Sequence, residues 1–195
     1  MPLDIQNWTA DLSWNYTMTS WTITTVWGVE CFHWWRNLAQ IETTTNFDMD
    51  TSKIYTINFR WKCDSSLAFD YLNMWLANGS RFNFFISNWL AVRSWTNNYT
   101  HYEIVYSIDT TRHNFCVILL PNANPIVYID CVQILSSRWR SWNSYNPWQS
   151  LKIAEMSHSD WTWYVSRVIV EKDIQRDSQS ITKYYNKTKS KYWIS

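Results

Sequence analysis

Residues 151–194 read LKIAEMSHSDWTWYVSRVIVEKDIQRDSQSITKYYNKTKSKYWI, and this stretch decides the fold. Apolar residues fall largely at every second position from Tyr164 to Glu171, which is the period of a strand with one buried face. A shorter strand is predicted over Leu151–Glu155, and a polar turn over residues 157–162 joins the two. A helix is predicted over residues 178–191. The stretch therefore predicts strand, turn, strand and closing helix.

The predicted helix has suitable residues along its length and at both ends. Asp177 or Ser178 can cap its first turn by accepting a hydrogen bond from a free backbone N–H group. One stripe of residues spaced three and four apart can pack on a sheet. The stripe consists of Ile181, Tyr184, Tyr185 and Thr188. The lysines that suit the negative C-terminal end of the helix dipole are Lys187, Lys189 and Lys191.

Strand patterns continue through the rest of the chain. Residues 52–62 alternate apolar and polar side chains, and Asn114–Leu120 is a continuous apolar run, as in a central strand. Asn78-Gly79 and Asn88-Trp89 are typical of hairpin turns. Roughly a dozen strands with regularly spaced turns favour a β-sandwich.

This order of elements resembles the end of concanavalin A-like lectin domains of the laminin-G-like type. The residues that carry the resemblance are Tyr164–Val170 and Ser178–Asn186, with Ser52–Lys62 and Ile126–Gln133 similar to two earlier strands. Cys131 stands where that family prefers Gly. The ending Tyr185–Tyr192 is similar to versions common in phage structural proteins. A galactose-binding-like jelly roll is an alternative, but it would end near Ser137.

The resemblance implies an all-β fold, an antiparallel β-sandwich (jelly roll, concanavalin A-like) with a short C-terminal helix. We expect one domain over residues 1–195, with residues 1–28 as a candidate extended N-terminal arm and residues 178–191 as the closing helix.

Composition narrows the classes of function. Hydrophobic residues make up 46% of the 195 residues, which is ample for one core. The net charge of +1 gives no broad attraction to nucleic acid or to an anionic membrane, so neither is a predicted partner. No apolar run reaches the length of a transmembrane helix, about 18 residues, and Met1–Gln6 lacks the pattern of a signal peptide.

No arrangement of residues predicts an active site, so we expect no enzyme. A glycoside hydrolase needs two carboxylates about 5 to 9 Å apart. The nearest pairs, Asp48/Asp50 and Glu171/Asp173, are interpreted as solvated surface. Four widely separated histidines show no metal-ligand spacing; they are His33, His101, His113 and His158. Four cysteines form no C-x-x-C pair and are interpreted as buried free thiols; they are Cys31, Cys63, Cys116 and Cys131.

A binding surface is the remaining candidate site. Sugar-binding faces combine an aromatic platform with amide and carboxylate groups on loops. Two loop segments have this composition, although ordinary loop polarity explains them as well. Their residues are Asn97, Asn98, Tyr99, His101, Trp139, Trp142 and Asn143. No cofactor is predicted. Some laminin-G-like domains bind Ca²⁺, so this ion stays open through Asp109, Asp130 and Asp160, whose spacing specifies no site.

The predicted function is a non-enzymatic structural or surface protein of a phage or virus particle, with a candidate glycan-binding surface. It would decorate a capsid or form part of a fibre or tail, at the virion surface or in an extracellular assembly. The expected partners are other virion or assembly proteins, further copies in a homo-oligomer, and glycans. The alternatives are a secreted or cell-surface carbohydrate-binding module and, third, a degenerate glycoside hydrolase.

The numbers of tryptophan and glycine are anomalous: 16 Trp stand beside only 2 Gly. Average usage would give about 14 Gly, and tight turns need this residue for positive φ angles. Eight Trp follow Asn, Ser, Asp or Pro, where turn glycines are expected. They are Trp8, Trp14, Trp21, Trp89, Trp95, Trp142, Trp148 and Trp161. One hypothesis is that UGA codons, translated as Trp, encode Gly. The other is a genuinely Trp-rich protein.

Intact mass of the protein from its natural source separates these hypotheses. Recoding predicts a mass below 23.6 kDa by one indolylmethyl group, replaced by hydrogen, at every affected position. A mass that matches 23.6 kDa would mean that all 16 indoles are real.

Overall fold

The computed structural model describes the backbone of fifteen strands and two helical segments, and the side chains of part of the chain. Side chains are described for Thr25 and for residues 53–60, 111–121, 126–134 and 166–191. In chain order the strands are β1 Leu3–Ile5, β2 Tyr16–Thr19, β3 Thr22–Val26, β4 Val29–Trp34, β5 Gln40–Asn46, β6 Tyr55–Cys63, β7 Asp70–Leu76, β8 Arg81–Ile86, β9 Leu90–Trp95, β10 Thr100–Ile104, β11 His113–Leu119, β12 Ile126–Ile129, β13 Val132–Ile134, β14 Ser150–Ile153 and β15 Trp163–Lys172. The helix α1 covers Ser178–Thr188, and a 3-10 turn covers Ser190–Tyr192.

The strands form two antiparallel sheets. The first sheet has eight strands in the order β13-β12-β11-β6-β15-β4-β3, with β1 also paired to β15. The second sheet has seven strands in the order β10-β9-β8-β7-β14-β5-β2. Strands β7, β8 and β9 follow one another as hairpins, as predicted, and β9 and β10 form a further antiparallel pair; the turn residues themselves lie outside the described residues. The fold is therefore all-β with one short helix.

The N-terminal residues contribute to both sheets. Strand β1 pairs with β15, with Leu3 opposite Val170, and β2 pairs with β5 in the second sheet. Within the described part of the chain, no helix is long and apolar enough to cross a membrane.

One face of the first sheet is apolar and closed to solvent. Strands β6 and β11 are neighbours, and Phe59 lies opposite Phe115, with ring centroids 4.9 Å apart. Every second residue of the central strands belongs to this buried face, at 4% exposure or less. Its members are Tyr55, Ile57, Phe59, Phe115, Val117, Leu119, Val127, Ile129, Val168 and Val170. The side chains that alternate in the sequence therefore point in turn to this buried face and to the opposite face of the sheet.

The opposite face of the same strands is covered by α1, and we call it the helix face. Ile181 of α1 packs against Cys116, Ile118 and Tyr128 on the sheet. Tyr185 is also buried, so the predicted apolar stripe of the helix is confirmed at Ile181 and Tyr185, while Tyr184 and Thr188 are half-buried. Among the described side chains of the central strands β6, β11 and β15, both faces are therefore largely excluded from water.

The turn between β12 and β13 keeps its geometry without glycine. Asp130 and Cys131 have φ angles of 49° and 64°, the left-handed region that a two-residue hairpin requires. The Asp130 backbone N–H donates to the Asn114 carbonyl at 2.9 Å, and its Oδ1 accepts from the Asn114 N–H at 2.8 Å. These bonds to the neighbouring strand offset the unfavourable backbone of Cys131.

Truncating one member of the buried face tests how far stability depends on it. Phe115→Ala removes a fully buried ring stacked on Phe59 and should lower the free energy of unfolding by about 3–5 kcal/mol, measured by urea denaturation. Val132→Ala, at 61% exposure, is the control and should change it by less than about 0.5 kcal/mol. Equal effects of the two substitutions would contradict this assignment of the core.

Candidate functional site

A tight loop, residues 173–177, brings α1 back over the sheet. Asp173 adopts a φ of 59°, and its backbone N–H donates to the Ile54 carbonyl at 2.7 Å. The Thr56 hydroxyl donates to the Ile174 carbonyl at 2.6 Å. The two bonds attach the loop to the residue just before β6 and to the second residue of β6, so α1 begins directly above the helix face.

The start of α1 is fixed by a capping residue. Asp177 has extended backbone angles, and its Oδ1 accepts a hydrogen bond from the Ser180 N–H at 2.6 Å. This confirms the first of the two predicted caps. The bond from the Ser180 backbone holds the pKa of the Asp177 carboxyl below its usual range, because it stabilises the charged form.

A cavity of about 120 Å³ lies between the first turns of α1 and the helix face. The sheet contributes an amide, an aliphatic side chain and a carboxylate, while the loop and helix contribute a guanidinium, hydroxyls and an aliphatic side chain. The lining residues are Asn58, Ile169, Glu171, Arg176, Ser180, Ile181 and Tyr184. We call this the helix cavity.

The carboxylate of the helix cavity is held in an ion pair. Arg176 Nε donates to Glu171 Oε2 at 2.8 Å, and Arg176 Nη2 contacts Glu171 Oε1. The Glu171 side chain is 9% exposed and that of Arg176 is 43% exposed. The hydrogen bond to Glu171 raises the pKa of Arg176. The prediction that Glu171 lies on solvated surface is wrong, because α1 covers its side of β15; Asp173 is exposed, as predicted.

Beside Asn58 lies a buried thiol. Burial raises the pKa of Cys116 to about 12, against the opposing effect of a hydrogen bond with the Asn58 side chain. Because only a thiolate is a strong nucleophile, this cysteine stays inert at neutral pH. Cys116 is a buried free thiol, as predicted, whereas Cys131 is free but only half-buried; the side chains of Cys31 and Cys63 lie outside the described residues.

The far end of α1 is anchored by two arginines around Tyr184. The guanidinium carbons of Arg60 and Arg167 lie 5.0 and 5.7 Å from the centre of the Tyr184 ring. Arg167 Nη1 donates to the Tyr184 hydroxyl at 3.0 Å, and Arg60 Nη2 donates to the Thr188 hydroxyl at 2.8 Å. Tyr184 therefore has a fixed position in the roof of the helix cavity.

A second polar group connects β11 to the hairpin turn. His113 Nδ1 lies 2.6 Å from Asp130 Oδ2, and His113 Nε2 lies 3.2 Å from the Thr111 hydroxyl. The order hydroxyl, imidazole, carboxylate also occurs in hydrolases. Here the imidazole is buried, and neither it nor Thr111 lines the helix cavity. The group positions the hairpin.

Asp130 is also a poor candidate for binding Ca²⁺. Both of its carboxylate oxygens already accept or share hydrogen bonds with β11. Within the described residues, no three His, Cys, Asp or Glu side chains are grouped to hold a metal ion. Asp109 and Asp160 lie outside the described residues.

The loop residues predicted to bind ligand cannot be compared with this geometry. For His101 the backbone alone is described, in β10 opposite Arg93. The others, Asn97, Asn98, Tyr99, Trp139, Trp142 and Asn143, lie outside the described residues, so that surface stays a prediction.

Comparison with known proteins gives a likeness in structure but none in sequence. No family model and no curated protein matches the chain. The binding domain of botulinum neurotoxin DC in complex with rat synaptotagmin II matches with a TM-score of 0.75 and 14% identity, over 95% of this chain and 51% of that one. Botulinum neurotoxin type C, whose cell entry depends on interaction with two ganglioside molecules, matches with a TM-score of 0.73 and 14% identity, over 95% of this chain and 50% of that one.

The binding domain of a mosquitocidal protein has a similar fold. The binding domain of Paraclostridial Mosquitocidal Protein 1 matches with a TM-score of 0.73 and 11% identity, over 91% of this chain and 49% of that chain. The chain therefore spans about half the length of the structures it matches. What is shared at this identity is the fold. The concanavalin A-like and laminin-G-like resemblance stays a prediction.

The Asp177 cap predicts how the stability conferred by the start of α1, which covers the helix cavity, depends on pH. Because the folded-state pKa of Asp177 is lowered, its charged form stabilises the fold above the pKa of the unfolded chain, and that contribution is lost as the pH falls through the folded-state value. At neutral pH, Asp177→Ala should lower the melting temperature, while Asp177→Asn should retain the cap.

Measuring the melting temperatures as a function of pH distinguishes a charged cap, Asp at position 177, from the neutral cap in Asp177→Asn. The difference in melting temperature between wild type and Asp177→Ala should narrow in acid, below pH about 4. The difference between Asp177→Asn and Asp177→Ala should stay constant, since the amide does not titrate. A wild-type difference that is also constant would contradict the role of the charge.

Proposed function

We propose that this chain is a non-enzymatic glycan-binding domain in which the helix cavity receives one sugar ring. We further propose that its two sheets stack as a concanavalin A-like sandwich, with the buried face of the first sheet turned toward the second. The single observation that carries the functional proposal is the polar lining of the helix cavity.

The size of the helix cavity suits one monosaccharide. A water molecule needs about 10–15 Å³ of such space, so there is room for on the order of ten non-hydrogen atoms. That is about the size of one sugar ring. The volume of about 120 Å³ is too small for an oligosaccharide, which would have to extend outside along α1.

The lining offers both donors and acceptors for hydroxyl groups. Asn58 has an amide, Ser180 a hydroxyl, and Glu171 a carboxylate with lone pairs beyond those used by Arg176. Ile169 and Ile181 supply apolar surface for the C–H groups of a sugar ring. Few polar groups on apolar walls are the usual design of a small-molecule site.

The same residues argue against hydrolysis. Hydrolysis of a glycoside needs two carboxylic groups across the scissile bond. Glu171 is the one carboxylate in the lining, and it is paired with Arg176, so no second carboxyl group faces it across the cavity. The neighbours reported above are binding domains, which supports the same proposal.

A virion role has no comparable support, because the matching structures are toxin binding domains. The phage or virus particle, virion partners and the homo-oligomer remain predictions from sequence. Gangliosides, named for botulinum neurotoxin type C, carry sugars and support a glycan as the class of ligand.

Filling the helix cavity tests the proposal. Ser180→Phe places a ring in the cavity, and Gln179→Phe places the same ring on the exposed side of the same helical turn. On an array of neutral and acidic glycans, Ser180→Phe should weaken binding by about tenfold or more, or about 1.4 kcal/mol, while Gln179→Phe should not.

A thermal shift accompanies the array. A bound glycan should raise the melting temperature of wild type and of Gln179→Phe, but not of Ser180→Phe. Unchanged glycan binding by a folded Ser180→Phe variant, or no glycan bound by wild type, would refute the function proposed for the cavity.

A further inference from the structure

A row of lysines runs along the exposed side of α1 and into the 3-10 turn that follows it. Residues 178–191 contain four lysines and no acidic residue. Lys183, Lys187 and Lys191 are spaced four residues apart and are exposed. With a rise of about 1.5 Å per residue in an α-helix and about 2 Å in a 3-10 turn, the row is roughly 13 Å long. We call these three residues the lysine row.

The lysine row lies beside the helix cavity. Residues three and four apart are neighbours on a helix surface, so Lys183 is next to Ser180, and Lys187 is next to Tyr184. Ser180 and Tyr184 both line the cavity. A ligand with one ring in the cavity would therefore have its next parts beside the lysines.

The positive charge on this side of α1 is local. The whole chain has a net charge of only +1, whereas residues 178–191 contain four lysines and no acidic residue. Asp177 lies at the opposite end of α1, where it caps the first turn, and Glu171 is already paired with Arg176. Charge complementarity thus favours an anionic partner at this position.

The form of the row favours a linear polyanion of sugar units. The exposed residues between the lysines, Asn186 and Ser190, are polar, whereas a helix that inserts into a membrane needs large apolar residues next to its lysines. Duplex DNA calls for a broad basic surface, which a net charge of +1 does not provide.

We propose that the lysine row binds the carboxylate or sulfate groups of an acidic glycan whose terminal ring occupies the helix cavity. This inference rests on the proposed function for the choice of a glycan, and it adds the class of that glycan. The lysines contribute ionic contacts outside the cavity, and these contacts are screened by salt.

Heparin, a sulfated glycan, is the probe. Replacing both Lys183 and Lys187 by serine should weaken heparin binding about 25-fold at low salt, at about fivefold for each lysine near an anionic surface. The loss should shrink as the Debye length falls from about 10 Å at 0.1 M salt to about 3 Å at 1 M. Titration calorimetry at several salt concentrations measures both.

A matched control removes the same charge from the other side of α1. Lys189 is exposed, and its Nζ lies 5.8 Å from the Tyr185 ring centre, away from the row. Lys189→Ser should leave heparin affinity within about twofold of wild type. Equal losses in the control and in the double variant, or no loss in the double variant, would overturn the inference. Competition by duplex DNA as strong as by heparin would overturn the choice of a glycan.

The two proposals fail in different ways. If Ser180→Phe loses neutral glycans and the lysine variants bind every glycan as wild type does, the cavity stands and the lysine row falls. If the double lysine variant loses heparin while Ser180→Phe binds all glycans normally, the lysine row is an anion site and the cavity proposal falls.

Discussion

The ion pair between Glu171 and Arg176 decides how the helix lies on the sheet. Glu171 is on the helix face of β15 with its side chain buried, where a charged carboxylate without a partner would cost several kcal/mol. Arg176 supplies the partner from five residues further along the chain. To reach back, the chain must turn sharply, and it does so at Asp173 with a φ of 59°. The position of α1 follows from this requirement.

The helix is then held at three points along its length. The loop before it is bonded to Thr56, its centre packs through Ile181, and its last turn is bonded to Arg60 through Thr188. The helix cavity remains where the ion pair and the polar side chains keep the first turns of α1 from packing closely on Ile169. A cavity with walls fixed in this way loses little entropy when it binds, which is an advantage for a small ligand.

Local features could be predicted from the sequence, and distant pairings could not. The cap at Asp177 and the buried stripe of α1 depend on residues within one or two turns, so composition and spacing were sufficient. The placement of β6 between β11 and β15 brings together segments about 50 to 110 residues apart, and alternation does not specify such partners. The alternating pattern assigned Glu171 to the outward side of β15, but it gave no information about the helix that covers that side. For this reason the helix cavity was missed.

The possible recoding of tryptophan leaves this part of the molecule unchanged. No tryptophan occurs among the residues with described side chains, 53–60, 111–121, 126–134 and 166–191. The buried face, the ion pair, the cavity lining and the lysine row would therefore have the same side chains under either decoding. The effect would fall on strand positions such as Trp163, which pairs with Trp34 and with Cys63. Glycine there would weaken the pairing at the start of β15, far from Glu171 at its other end. The proposals for the helix cavity and the lysine row are thus independent of the origin of the tryptophans, because they concern different residues.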